Sequence, residues 1–377
     1  MSFDANDMAK IRVLEVIRQG QIGGGESHLL DLAYFLDKER FEPIALAFTS
    51  GEMVDRLERM GIKCHVIPTL KAFDWRVQQQ VIELLRRENI QIVHAHGSRA
   101  ASNMMWPARH LKLPFVYTVH GWSFHDDQSW AVKKARAWSE KLICHFAQRV
   151  ICVSKSNAET GRQIFGLKKV DVIENGINLE RFNPDGKFVD LRKEFGFASD
   201  DFVAGFIARC TKQKSPLDFL EAVRLAHQQN KAIKGLFVGE GDMDSEVDAF
   251  ITRHHMQDYL FRSKFRTDVP DLLNSIDAYC LPSLWEGLSI ALLEAMAMRK
   301  AIIATPTDGT KELLTDEQNG LVIPFEQPQQ LADAICRLSK DNELLVRCGQ
   351  EAHNMVEQRF NAKRVADSVG QIYNRII

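Results

Sequence analysis

Short apolar runs recur along this chain, each closed by glycine or a polar residue and followed by a stretch whose apolar positions repeat at helical spacing. Ile11–Ile17, Phe115–Val119, Phe202–Ile207 and Ala278–Leu281 are the clearest. Strands separated by helices cannot pair as hairpins; each crossover lays the next strand parallel to an earlier one, and helices cover both faces of the sheet. The same reading predicts strands over Ile44–Phe48, Cys64–Ile67, Ile90–His94, Val150–Ser154, Gly235–Gly239, Leu260–Phe265, Ala301–Thr305 and Gly320–Ile323. At 377 residues and 45% apolar content the chain has material for two such α/β domains. Asn183-Pro184-Asp185-Gly186 has the composition of a linker, so the boundary is expected there, with 1–182 ahead of it.

Functional groups on parallel sheets gather at the carboxyl ends of strands. His94 and His96 close one predicted strand and His120 another. Gly23, Gly24 and Gly25 follow the first strand and precede a helix, a geometry in which backbone N–H groups can approach a phosphate or a sugar, although a glycine cluster is also an ordinary turn. Arg209 and Lys214 follow Phe202–Ile207 and suit a diphosphate, Arg as a planar fork and Lys as a movable point charge; as spacing alone they also read as surface charges. His28 and His125 are left without a role.

The segment Ser283–Met298 (SLWEGLSIALLEAMAM) holds two glutamates, Glu286 in a turn with Gly287 and Glu294 within an apolar helical run. With the helix starting near Ser289, a rise of 1.5 Å per residue sets Glu294 roughly 9 Å down the axis from Glu286. Between them lie the free N–H groups of the first turn, around Leu288 and Ser289, where the helix dipole favours an anion. One segment could thus hold sugar, pyrophosphate and ribose, while the plainer alternative leaves Glu294 bridging inside the core and Glu286 in solvent. Asp242-Met243-Asp244 spells a metal-binding D-x-D, but acidic residues are expected where a helix starts and no second carboxylate cluster completes a site.

A net charge of −2 argues against nucleic-acid binding. Basic residues slightly outnumber acidic ones up to Phe182 and the reverse holds afterwards, which points to different partners for the two halves. Seven scattered cysteines without a C-x-x-C pair read as reduced thiols. The polar start of the chain and the lack of any apolar run near the roughly 18 residues of a membrane span give a cytoplasmic expectation. The predicted helix 129–149 carries Lys133, Lys134, Arg136, Lys141 and Arg149 around an apolar face of Trp130, Val132, Trp138, Leu142 and Ile143. It reads as a solvated face or as a peripheral contact with the anionic inner face of a membrane.

PSLWEGLSIALLEAMA, G-G-x-E from Gly23, T-V-H-G at His120 and V-x-x-N-G-I-N from Val172 together resemble the retaining glycosyltransferases of family 4 (glycosyl transferases group 1), over nearly the whole chain. The resemblance implies the GT-B fold: two Rossmann-like, doubly wound domains facing across a cleft, with a C-terminal helix (361–377) crossing back to the first. It implies that 1–182 binds the acceptor and 183–360 the nucleotide-sugar donor. Arg209 and Lys214 would clamp the diphosphate, Glu294 the ribose and Glu286 the sugar, with Gly23, Gly24, Gly25, Gly287, Leu288 and Ser289 also on the donor. His120 would contact the transferred sugar, and His96 and His120 the acceptor side. A nucleotide diphosphate sugar is expected as co-substrate with no metal or other cofactor, and a glycan or lipid-linked acceptor for surface polysaccharide synthesis. Lys264, Arg299, Ala301 and Asp308 depart from wording common in the family. The alternatives are a nucleotide-sugar epimerase of the same fold and a non-catalytic sugar-nucleotide-binding protein; a nicotinamide dehydrogenase is disfavoured because Gly20–Gly25 does not fit G-x-G-x-x-G.

Overall fold

The computed structural model describes residues 10–20, 23–124 and 128–377. They form two compact units, one running to Gly176 and including Ala362–Ile377, the other Ile177–Asn361. The division falls just ahead of the Asn183–Gly186 turn.

The first unit is a seven-stranded sheet of β1 (Ile11–Ile17), β2 (Phe41–Ala47), β3 (Lys63–Val66), β4 (Ile92–His96), β5 (Phe115–Val119), β6 (Arg149–Cys152) and β7 (Val170–Val172). Its order is β3-β2-β1-β4-β5-β6-β7, parallel throughout. The second is a six-stranded parallel sheet of β8 (Phe202–Ile207), β9 (Ile233–Val238), β10 (Leu260–Ser263), β11 (Ala278–Leu281), β12 (Ala301–Ala304) and β13 (Leu321–Val322), ordered β10-β9-β8-β11-β12-β13. The order reverses between β1 and β4 in one sheet and between β8 and β11 in the other, and crevices open at the carboxyl ends of strands at such points.

The central strands are buried on both faces, as parallel strands between two helical layers must be. One layer over the first sheet rests on Leu14, Val16, Val93, Ala95 and Tyr117. On the opposite face, Val13, Ile92 and Val116 meet Val369, Ile372 and Tyr373 of the terminal helix Ala362–Ile376. That helix packs against helix Gly24–Phe35, so the last residues of the chain complete the first unit's core.

β4 runs two residues beyond the predicted Ile90–His94, and His96 is its last residue. The helix expected over 129–149 spans Trp130–Phe146, and its predicted single apolar face is divided. Ile143, Cys144 and Glu140 turn into the core, whereas Trp130, Val132 and Trp138 are exposed. The buried side is secured by polar bonds: Glu140 accepts from Ser98 Oγ, from Tyr117 Oη at 2.8 Å and from Ser123 N at 3.1 Å. Arg149 belongs to β6. All seven cysteines are free.

Candidate functional site

Strand register builds the cluster of the first unit. Glu15 on β1 lies opposite His94 on β4, and Ile17 opposite His96. Side chains two apart share a face, so Glu15, His94 and His96 point together, with Thr118 of β5 beside His96. They face the terminal helix, whose Tyr373 hydroxyl donates to Glu15 Oε1 at 2.6 Å. Glu15 Oε2 takes His96 Nε2 at 2.9 Å and lies 3.1 Å from His94 Nδ1. His94 also bonds Tyr373 Oη at 2.5 Å and Thr118 Oγ1 at 2.7 Å. Burial alone would raise the Glu15 carboxyl, but the charge and hydrogen bonds of His94 and His96 outweigh it and hold it well below the usual carboxylate range.

His96 Nδ1 meets His120 Nε2 at 3.3 Å. His120 follows β5 and is seated against the glycine loop: a Cβ at Gly25 would lie 3.4 Å from its Cδ2. His28, from helix Gly24–Phe35, closes the group with its ring centroid 4.9 Å from that of His120, and its buried Nε2 has no hydrogen-bond partner among the described residues. Burial and the neighbouring imidazoles lower His28 to about 3, and burial lowers His96 to about 4. Burial also holds His120 well below its ordinary value, so these three rings are neutral near pH 7. Donor atoms of His28, His96 and His120, and of Glu15, His94 and His96, come within 4.8 Å of one another, close enough to share a cation; in the second group both rings are hydrogen-bonded at both nitrogens.

Gly23 is the N-cap of helix Gly24–Phe35, and Gly24 and Gly25 open it. His125 lies outside the described residues. Sequence reasoning gave no role to Glu15, His94 or Tyr373; the available signal was a carboxylate at the centre of the run Ile11–Ile17, whose only other polar residue is Arg12.

The second unit gathers its predicted residues on loops after β8 and β11. Lys214 is buried and forms an ion pair with Glu286, so two groups assigned to different parts of a donor are direct neighbours. Gln213 fixes the two loops together: its carbonyl accepts from Leu284 N at 2.8 Å, and its Nε2 donates to the Trp285 carbonyl at 2.8 Å. Arg209 lies on the same loop as Lys214, exposed and without an ion-pair partner among the described residues.

Two further loops press on these by glycine contacts. A Cβ at Gly239, whose φ is +148°, would lie 1.8 Å from the Ala208 carbonyl oxygen, and one at Gly241 would lie 2.2 Å from that of Cys210. A Cβ at Gly309 would lie 1.8 Å from the carbonyl oxygen of Gly287. Ser289 is the N-cap of helix Ile290–Ala297, makes no side-chain capping bond and is buried with Leu288; Glu294 is half-buried on that helix. The helix start therefore keeps N–H groups available beside Gly287 and Glu286. A buried cation, a free exposed cation, a carboxylate and a helix N-terminus suit an anion bearing hydroxyl groups. Asp244 opens helix Asp244–Arg253, and its carboxylate is taken by Arg262 at 2.7 Å.

Residues 22–181 match the family model Glycosyltransferase Family 4, and residues 188–355 match Glycosyl transferases group 1. The chain is 27% identical to the UDP-Gal:alpha-D-GlcNAc-diphosphoundecaprenol alpha-1,3-galactosyltransferase of Escherichia coli over 97% of both chains. It is 25% identical to the N,N'-diacetylbacillosaminyl-diphospho-undecaprenol alpha-1,3-N-acetylgalactosaminyltransferase of Campylobacter jejuni, over 90% of this chain and 93% of that one. HepE of Anabaena, solved in complex with UDP-glucose, superposes with a TM-score of 0.85 at 22% identity, covering 97% of this chain and all of that one, a likeness of fold. Two family models matched in series, on two doubly wound parallel sheets, assign the chain to the family 4 (group 1) glycosyltransferases of GT-B fold.

Proposed function

We propose that this glycosyltransferase moves a sugar, with retention of anomeric configuration, from a nucleotide diphosphate sugar to a hydroxyl of a lipid-linked glycan. The observation that carries the reading is the buried Lys214–Glu286 pair beside the free Arg209 and the start of helix Ile290–Ala297. Leaving-group departure is the demanding step, and fixed positive charge placed where negative charge grows lowers its barrier. Arg209, Lys214 and the helix N–H groups supply that charge without a metal. Glu286 takes hydroxyls of the sugar and Glu294 those of the ribose. Gly23, Gly24 and Gly25 border the donor phosphate, His120 contacts the transferred sugar, and His96 and His120 serve the acceptor.

A lipid-linked acceptor is supported by the two relatives whose names specify undecaprenyl diphosphate carriers. No helix of the described residues is long and apolar enough to cross a membrane. We place the protein peripherally on the cytoplasmic face, resting on Trp130 and Trp138 with Lys133, Lys134 and Arg136 around them; amphipathic rings with neighbouring cations suit an anionic lipid surface. Surface polysaccharide synthesis is the matching process.

A thermal-shift screen of UDP-, GDP- and ADP-sugars, followed by acceptor assays, tests the reading. One donor class is expected to stabilise the protein, and Glu286→Ala or Arg209→Ala to abolish transfer. Unchanged turnover in both variants overturns the site, inverted anomeric coupling in the product overturns retention, and interconversion of free nucleotide sugar without acceptor would make the protein an epimerase.

A further inference from the structure

The hydrogen-bond chain of the first unit fixes more than the position of its rings. Glu15 is ionised and accepts only: its Oε1 takes the Tyr373 hydroxyl and its Oε2 takes His96 Nε2. The His96 proton therefore sits on Nε2. A neutral imidazole carries one N–H, so His96 Nδ1 is a lone pair. His120 Nε2, 3.3 Å away, must then be the donor of that contact. Being neutral too, His120 has no proton left for Nδ1. A Cβ at Gly25 would come nearest to Cδ2, Cγ and Nε2 of this ring, and Nδ1 makes no hydrogen bond among the described residues.

We infer that Glu15, acting through His96, is a positioning residue that locks His120 in the tautomer with a bare Nδ1, so that the first unit receives its ligand through a donated hydroxyl proton. Tyr373 of the terminal helix Ala362–Ile376 bonds the other oxygen of the same carboxylate, so it steadies Glu15 while the proton positions on the rings follow from the carboxylate itself. A bare imidazole nitrogen accepts from a sugar or other hydroxyl group and repels phosphate or carboxylate oxygens, which are acceptors themselves. The inference rests on the reading above only in taking that hydroxyl to belong to the sugar or its acceptor.

Long-range 1H–15N correlation spectra of the imidazoles in full-length, ligand-free protein near pH 7.5 read the tautomers directly. His120 is assigned by the signal missing from His120→Gln. Wild type is expected to show His96 and His120 both protonated on Nε2, with pyridine-type Nδ1 shifts. In Glu15→Gln the side-chain NH2 faces His96 and donates, so both rings are expected to switch to the Nδ1–H form. Tyr373→Phe keeps the carboxylate and is expected to leave both tautomers unchanged. His120 protonated on Nδ1 or on both nitrogens in wild type overturns the inference, as does a folded Glu15→Gln with an unaltered His120. Should Glu15→Gln fail to fold, the wild-type spectrum alone decides. The spectra need no substrate, so a chain that fails to transfer sugar but shows the expected tautomers refutes the functional reading and leaves this one standing.

Discussion

Glu15 is the residue on which the first unit's polar core turns. A buried carboxylate is costly unless its oxygens are bonded, and here Tyr373, His96 and His94 bond it. Tyr373→Phe removes one donor to a buried charge; we expect a loss of about 1–3 kcal/mol, read from the urea midpoint. The histidines give the pH dependence its sign. His28 and His96 titrate lower in the folded protein (about 3 and about 4) than an ordinary imidazole, so below about pH 6.5 the unfolded chain binds protons the native state does not. Stability is then lost as pH falls, by about 1.4 kcal/mol per pH unit for each such ring. Glu15, held low, acts in the same direction at lower pH, its contribution being present above the unfolded carboxyl value and lost beneath it. Urea midpoints at pH 7.5 and 5 are expected to show a marked drop for wild type and a smaller one for His28→Gln. His120 and His96 were legible from their places at strand ends. Their protonation pattern was not, because it is set by a partner some 80 positions away on a neighbouring strand.

The loops of the second unit depend on close backbone approach. The carbonyl of Gly287 occupies the space a side chain at 309 would need, so Gly309→Ala must displace one loop. It is expected to abolish the thermal-shift response to nucleotide sugars and to lower the melting temperature. The E-x7-E segment and the Arg209 and Lys214 loop were readable because each follows a strand and opens a helix. That Lys214 pairs with Glu286 was not, since β8 and β11 are brought together only by the sheet order. The helix Trp130–Phe146 shows the limit of periodicity in the other direction. Its tryptophans fit an apolar stripe, yet Glu140 faces the core because Ser98, Tyr117 and Ser123 need its oxygens. Trp130→Ser with Trp138→Ser is expected to reduce co-sedimentation with anionic vesicles at physiological salt by several-fold. Folding stability should stay within about 0.5 kcal/mol, as for most exposed positions.

For the whole molecule, the two units do not divide the chain at a single point, because Ala362–Ile377 belongs with the first. The terminal helix buries Val369, Ile372 and Tyr373 against β1, β4 and β5. Each apolar side chain of that size is worth about 1.5–3 kcal/mol when buried. Truncation after Asn361 is therefore expected to unfold the first unit, seen as loss of its protease resistance, while fragments of Ile177–Asn361 persist. The sequence by itself determined two α/β units and the loops that carry chemistry, because alternating strand and helix patterns and strand-end residues are local properties. Tertiary structure decided which loops meet, which carboxylate is buried, and which end of a distant helix holds it there. Those depend on strand order, register and glycine contacts between segments far apart in the chain, and no local pattern encodes them.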